Sequence, residues 1–304
     1  MYRYQRLIVV LSRESEFEDL IRYADLVARL AVSKAIVFLL VAPPAHVPKE
    51  IQKKYPNLPN PETELQALDL RRRLERFKAD FSGIDVSFEV LRGNPVTEVL
   101  GWARKDQADL ILVSRKFDDR NSTFLAEKIT RKAPCSVLVL PDQFESGIRK
   151  VLVPVDFSEH SIDALEVGIA FAASAGLKKI YVLNVYSVPI PAPTYGEEYE
   201  KLVEDFKQWA RKSFQDFIGR ADLKGLEVVP IFVHDPDTPG AVVQVVQDQK
   251  MDLVVVGTRG TSLAVLMGSV TEQLIWNLPV PLVAVKKKGA TLGLLDWLFK
   301  FKGE

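Results

Sequence analysis

The stretch Met251-Asp-Leu-Val-Val-Val-Gly-Thr-Arg-Gly-Thr-Ser-Leu-Ala-Val-Leu-Met-Gly-Ser-Val-Thr-Glu272 decides how the rest of the chain reads. Leu253 to Val256 is an unbroken apolar run rich in β-branched residues, the pattern of a strand buried on both faces. Gly257 and Gly260 end it and give a turn in which the backbone can take positive φ and approach a ligand closely. Gly268-Ser269 then opens a helix, and Ser269 with Glu272 three residues later fits the reciprocal capping box. A strand, a glycine-containing loop and a helix N-terminus together form a usual anion site. The stretch matches neither the P-loop, which ends in Gly-Lys-Ser/Thr, nor G-x-G-x-x-G. On spacing alone two readings stand: an anion-binding turn, or a βα connection whose glycines serve turning and packing.

Working outward, the same order of elements occurs twice. Val151-Leu-Val-Pro-Val155 stands 144 residues after Leu7-Ile-Val-Val-Leu11. Met251-Asp-Leu-Val-Val-Val256 stands 143 residues after Ala108-Asp-Leu-Ile-Leu-Val113, and Pro279 with Leu282 to Val285 stands 145 after Pro134 with Val137 to Leu140. This is a duplicated unit of alternating strands and helices, not a short-period solenoid. Such alternation predicts an α/β fold: two tandem, doubly wound, parallel five-stranded sheets with helices on both faces. The first domain is expected over residues 1–141 and the second over 148–286, joined by a polar linker from Pro141 to Gly147 and followed by a tail over 287–304. In the first, a charged helix is expected over Leu65 to Phe81 and another over Ala126 to Arg131; in the second, one over Tyr199 to Gly219. In such sheets ligands bind beyond the carboxyl ends of the strands, where the strand order reverses. With order 3-2-1-4-5, Asp156 and the Gly257 loop face one crevice.

Composition narrows the classes. Forty basic and forty acidic residues cancel, so no global charge draws the chain to nucleic acid or an anionic membrane. A hydrophobic content of 47% is that of a globular protein. The start leads straight into a strand-like run with no signal-peptide pattern, and no apolar segment has the length to span a bilayer. The single Cys135 excludes an internal disulfide framework and suits a reducing compartment. A soluble cytoplasmic protein is expected.

Val-Pro-Val-Asp156-Phe-Ser158, the Val-Val-Gly257-Thr-Arg-Gly260 turn, Gly268-Ser269 and Pro279-Val-Pro-Leu-Val-Ala-Val285 together resemble the universal stress protein family in its tandem form, over roughly Arg6 to Lys286. The resemblance implies sheets of order 3-2-1-4-5 of the adenine nucleotide alpha hydrolase-like kind, dimer-like pairing through the fifth strands within the chain, and in one branch ATP in the crevice. It implies a stress-response role for a binding protein holding ATP or ADP, with Mg2+ as a possible companion. Asp156 matches the acid that contacts the nucleoside, Asn184 and Val185 the place where backbone reads adenine, and Gly257, Gly260, Gly268 and Ser269 the ribose- and phosphate-binding turn. The family's ATP-binding pattern has nine residues between its second glycine and Gly-Ser/Thr; here seven, Thr261 to Met267, separate Gly260 from Gly268. The glycine usual before the third helix is replaced by His234-Asp235-Pro236-Asp237. The first repeat departs further, with Ser12 at the Asp156 position, Ser114 at the Gly257 position and Phe124 at the Ser269 position. Its basic residues Arg115, Lys116, Arg120 and Lys128 read as a solvated loop on a non-binding domain, with an anion contact as the alternative.

The remaining chemistry is sparse. Asp156 also fits an acid bonding backbone N–H groups before a helix, although Ser158 can do that work. His46, His160 and His234 lie in separate segments without metal-ligand spacing, no G-x-S-x-G elbow occurs, and Cys135 reads as a small core residue. No general base aims at a γ-phosphate, so the residues do not support an efficient NTPase; a slow ATPase and a nucleotide-free interaction module remain as alternatives. Arg71-Arg72-Arg73 reads as a solvated helix face. The Pro-rich connections at 43–61 and 189–196 read as lids or as plain long loops. In the tail, Leu294, Leu295, Trp297, Leu298 and Phe301 form an amphipathic stretch after Lys286 to Lys288. It is expected to dock on this chain or on a second copy, forming a homodimer, with membrane contact as the other reading.

Overall fold

A computed structural model describes residues 3–11, 17–42, 48–54, 61–77, 81–116, 118–188, 197–258 and 267–286. The chain divides into two compact units, Met1–Asp142 and Gln143–Lys287. Ser12, His46, Gly260, the Thr261 to Leu266 segment, most of the Pro-rich connections and the tail from 287 lie outside the described residues.

The first unit runs β1 (Arg6–Leu11), α1 (Phe17–Ala31), β2 (Ala35–Ala42), α2 (Lys49–Lys54), α3 (Pro61–Phe77), β3 (Asp85–Arg92), α4 (Pro95–Lys105), β4 (Leu110–Ser114), α5 (Arg120–Lys132) and β5 (Ser136–Leu140). Its strands are ordered β3-β2-β1-β4-β5, and every neighbouring pair is parallel. The second unit repeats the plan with β6 (Val151–Pro154), α6 (Glu159–Ser174), β7 (Lys179–Tyr186), α7 (Glu197–Ile218), β8 (Glu227–His234), α8 (Thr238–Gln249), β9 (Leu253–Gly257), α9 (Ser269–Asn277) and β10 (Leu282–Val285). Its order is β8-β7-β6-β9-β10, again parallel throughout. Both units thus have the expected 3-2-1-4-5 topology.

The physical reason is the burial pattern. β1, β4, β5 and β9 read as continuous apolar runs because helices cover both faces of each sheet. α1 buries Leu20, Ala24, Val27, Ala28 and Ala31, the helical spacing of a core-facing stripe. α6 packs so closely that a Cβ on Gly168 would stand 2.5 Å from Val153 Cγ2. The outer strands differ: β8 is half-exposed along its length and carries Pro230, which is tolerated at a sheet edge.

The duplication extends to side-chain chemistry. Asp109 Oδ2 accepts the backbone N–H groups of Gln5 (2.9 Å) and Arg6 (3.2 Å). Asp252 Oδ2 accepts those of Arg149 (2.9 Å) and Lys150 (2.8 Å). Each carboxylate ties the entry of its unit's first strand to the entry of its fourth. Arg71 and Arg72 are exposed, as expected of a solvated helix face, and Arg73 is half-buried, but two of the three also make contacts. Arg71 donates to Phe88 O (3.4 Å) and lies over the Phe88 ring, while Arg73 lies over the Phe17 ring and between Glu18 and Asp69. These contacts fasten α3 to β3 and α1. Among the described residues no helix is long and apolar enough to cross a membrane.

Candidate functional site

The carboxyl edge of the second unit gathers most of the residues singled out above. Pro154 is paired with Leu183 and Leu152 with Val254. Carrying these registers forward puts Val155 beside Asn184 and Gly257, and Asp156 one step beyond, beside Val185. β7, β6 and β9 are adjacent in that order, so Asn184, Asp156 and Gly257 stand on three neighbouring strand ends.

Asp156 is exposed, and both of its roles are visible. Its Oδ1 accepts the Ser158 N–H (3.1 Å) and the Ser161 hydroxyl (2.5 Å), holding the turn into α6. Ser158 is the N-cap of that helix, accepting from Ser161 N (3.3 Å). Among the described residues no donor meets the second oxygen, Oδ2, which leaves one carboxylate oxygen for a ligand. Between them Phe157 sits at φ 63°, a left-handed conformation unusual for a bulky residue. Its ring lies 6.1 Å from Trp209 and 5.6 Å from Phe217, both on α7. Nothing in the sequence pattern signals this conformation.

Asn184 is 4% exposed. Its Nδ2 donates to Val155 O (3.0 Å), while its Oδ1 is buried with no hydrogen-bond partner among the described residues. A buried acceptor left unmet costs about 1–3 kcal/mol, so it marks a place where a donor from a ligand or an internal water is due. The next residue, Val185, is half-buried and paired with Val233. Two residues beyond Asn184, Tyr186 stacks on His234 with ring centroids 5.5 Å apart; burial raises the Tyr186 pKa, with Glu204 adding to the shift.

Gly257 ends β9, paired with Val285. It is not among the positive-φ glycines, and neither is Gly268, whose φ is −69°. The positive φ expected at Gly257 is therefore not found, and Gly260, its companion in that expectation, lies outside the described residues. Gly257 O accepts the Thr271 hydroxyl (3.0 Å), and Thr258 O accepts Gly268 N (2.8 Å). These bonds hold the start of α9 against the end of β9. The expected capping box does not form. Gly268 is the N-cap with no side-chain hydrogen bond, and Ser269 is already in the first helical turn, exposed. A helix whose cap lacks a side chain leaves its first N–H groups and the positive end of its dipole open to an anion.

The first unit closes the corresponding place with its own side chains. Asp119 caps α5 and accepts Asn121 N (3.0 Å). Lys116 N donates to Ser122 Oγ (2.8 Å), and Thr123 Oγ1 donates to Lys116 O (3.2 Å). Arg115 is not solvated as expected: it is 3% exposed, burial lowers its pKa, and the Asp142 carboxylate works in the opposite sense. Ser114 is buried and Phe124 is 45% exposed, with the Lys128 ammonium 6.0 Å from its ring centroid. Of the histidines, His160 is half-buried and His234 exposed. Among the described residues no group of three or more His, Cys, Asp or Glu is arranged to hold a metal ion. Cys135 is buried.

The universal stress protein family model matches the chain twice, at residues 3–141 and 147–286. A universal stress protein of Methanocaldococcus jannaschii is 31% identical over 152 residues, which is 47% of this chain and 85% of that protein. Two solved structures share the fold across nearly the whole length. A functionally unknown protein from Pseudomonas aeruginosa superposes with a TM-score of 0.66 at 16% identity, covering 98% of each chain. A universal stress protein from Archaeoglobus fulgidus superposes with a TM-score of 0.63 at 16% identity, covering 93% of this chain and 96% of that one.

Proposed function

The chain belongs to the universal stress protein family in its tandem form, and from that premise we propose that it is a stress-response binding and regulatory protein whose second unit holds an adenine nucleotide. The observation that carries this reading is the α9 N-terminus, capped by Gly268 without a side-chain bond. It lies on the same strand-end edge as the unmet Oδ1 of Asn184. The base would lie at Asn184 and Val185, the sugar at Asp156, and phosphate at Gly257, Gly260, Gly268 and Ser269. The first unit, its own helix capped by Asp119, is the non-binding half of an internal pseudo-dimer.

Denaturing the purified protein and chromatographing the supernatant tests for a carried nucleotide. Calorimetry with ATP and ADP on Asp156→Ala and Gly257→Val then tests the placement. Ala removes a polar contact and Val fills space at the strand end, so both should weaken binding about tenfold or more, the size of one lost hydrogen bond to a charged group. Wild-type affinity in both variants would overturn this site.

A further inference from the structure

We propose that Phe157 is a positioning residue of the second unit's site: its ring, held by α7, keeps the backbone left-handed and so aims the Asp156 carboxylate at the ligand. This role rests on the nucleotide reading above and adds to it a residue that acts only through Asp156. At φ 63° the Cβ of an L-residue crowds the carbonyl that follows it. A bulky residue stays there only where its surroundings hold it, and such outliers gather at sites that need a fixed geometry. Phe157 has both the hold and the site.

The hold is aromatic and comes from α7. The Phe157 ring meets Trp209 edge-on, with centroids 6.1 Å apart and planes at 72°, and meets Phe217 at 5.6 Å and 60°. Ring pairs of this kind attract beyond the area they bury, on the scale of the left-handed penalty they offset. α7 is itself anchored around them. Phe214 lies edge-on to Phe232 of β8 at 5.4 Å, and Arg220, just past the helix, pairs with Glu159 at the start of α6. Trp209 is 59% exposed, so little of the core depends on it, yet it forms one side of the hold on Phe157.

The turn fixed in this way is the one that carries Asp156. Ser161 Oγ accepts the Asp156 N–H (3.1 Å) and donates to Asp156 Oδ1 (2.5 Å). The same Oδ1 accepts the Ser158 N–H (3.1 Å) from across Phe157. Rotating the Phe157 φ into the ordinary negative range turns that N–H away, and Oδ1 loses it. The carboxylate is then held by Ser161 alone, and Oδ2 loses its fixed direction toward the sugar.

The test is calorimetry with ADP on the full chain, with melting temperatures alongside, for wild type, Phe157→Ala, Phe157→Gly and Trp209→Ala. Alanine and glycine both delete the ring, but only glycine keeps a positive φ at no steric cost. Phe157→Ala is expected to bind ADP about tenfold more weakly than wild type, because binding must then restore the left-handed turn. Phe157→Gly is expected to recover most of that loss, although its melting temperature stays below wild type. Trp209→Ala is expected to lose about threefold in affinity, the share of one ring pair, with a melting temperature close to wild type. Equal ADP affinity in Phe157→Ala and Phe157→Gly overturns the positioning role and leaves the nucleotide reading standing. Wild-type affinity in Trp209→Ala does the same, and it decides the matter if Phe157→Ala does not fold. Wild type that binds no ADP overturns both.

Discussion

Tyr4 lies wholly inside the first unit, and burial pushes its phenol pKa up to about 12. In the unfolded chain a tyrosine titrates near its ordinary value of about 10. The folded state therefore holds the phenol proton more tightly. The stability this contributes is intact below pH 10 and is lost as pH rises from about 10 through about 12. Denaturant midpoints across that window should fall for the wild type, and the fall should be shallower in Tyr4→Phe, which has no proton to lose. Parallel curves would show that the phenol is not the group responsible. At this scale the sequence carried position but not pairing. Asp156 and Gly257 could be placed at strand ends because a hydrophobic run and its first polar or glycine residue mark where a strand stops. The unmet oxygen of Asn184 could not be read, because it depends on which carbonyl stands across from the amide. The left-handed φ of Phe157 was equally silent, since no glycine or asparagine marks it.

Helix ends show the same division. The 3.6-residue period located the helices, but their first turns depend on single capping contacts that periodicity does not encode. The expected helix over Ala126 to Arg131 extends back to Arg120 because Asp119 caps it. The expected Ser269–Glu272 box gives way to a bare Gly268 cap. That contrast between α5 and α9 makes a direct experiment. Gly268 has an ordinary extended backbone, φ −69° and ψ 148°, so Gly268→Asp is not strained and gives α9 the kind of cap α5 has. An Asp cap in place of Gly adds only a few tenths of a kcal/mol to stability. The new carboxylate, however, would occupy the N–H groups and place a negative charge where a phosphate is to bind. The melting temperature should hold or rise slightly while affinity for ATP or ADP drops tenfold or more. Unchanged affinity with unchanged stability would mean that the α9 N-terminus is not the phosphate site.

For the whole molecule, the duplication was legible because strand-forming runs recur at nearly constant spacing, and the strand order follows from the crossovers that parallel pairing requires. Assembly follows from what ends each sheet. In the second unit one end is β8, half-exposed and blunted by Pro230. The other is β10, whose residues Leu282, Val283, Ala284 and Val285 include no charge, no proline and no bulge. An apolar edge without such devices presents unpaired N–H and C=O groups and invites another strand. A fragment covering residues 148–286 should therefore not remain a monomer. Sedimentation at high micromolar concentration is expected to show a dimer, formed edge to edge through β10. Val283→Lys should shift it to monomer, because a buried lysine without a partner is costly at such a contact. Pro230→Val, at the opposite edge, should leave the β10 dimer intact and add higher oligomers by restoring a pairing edge. A fragment that stays monomeric with both edges native would show that β10 is protected by something other than pairing.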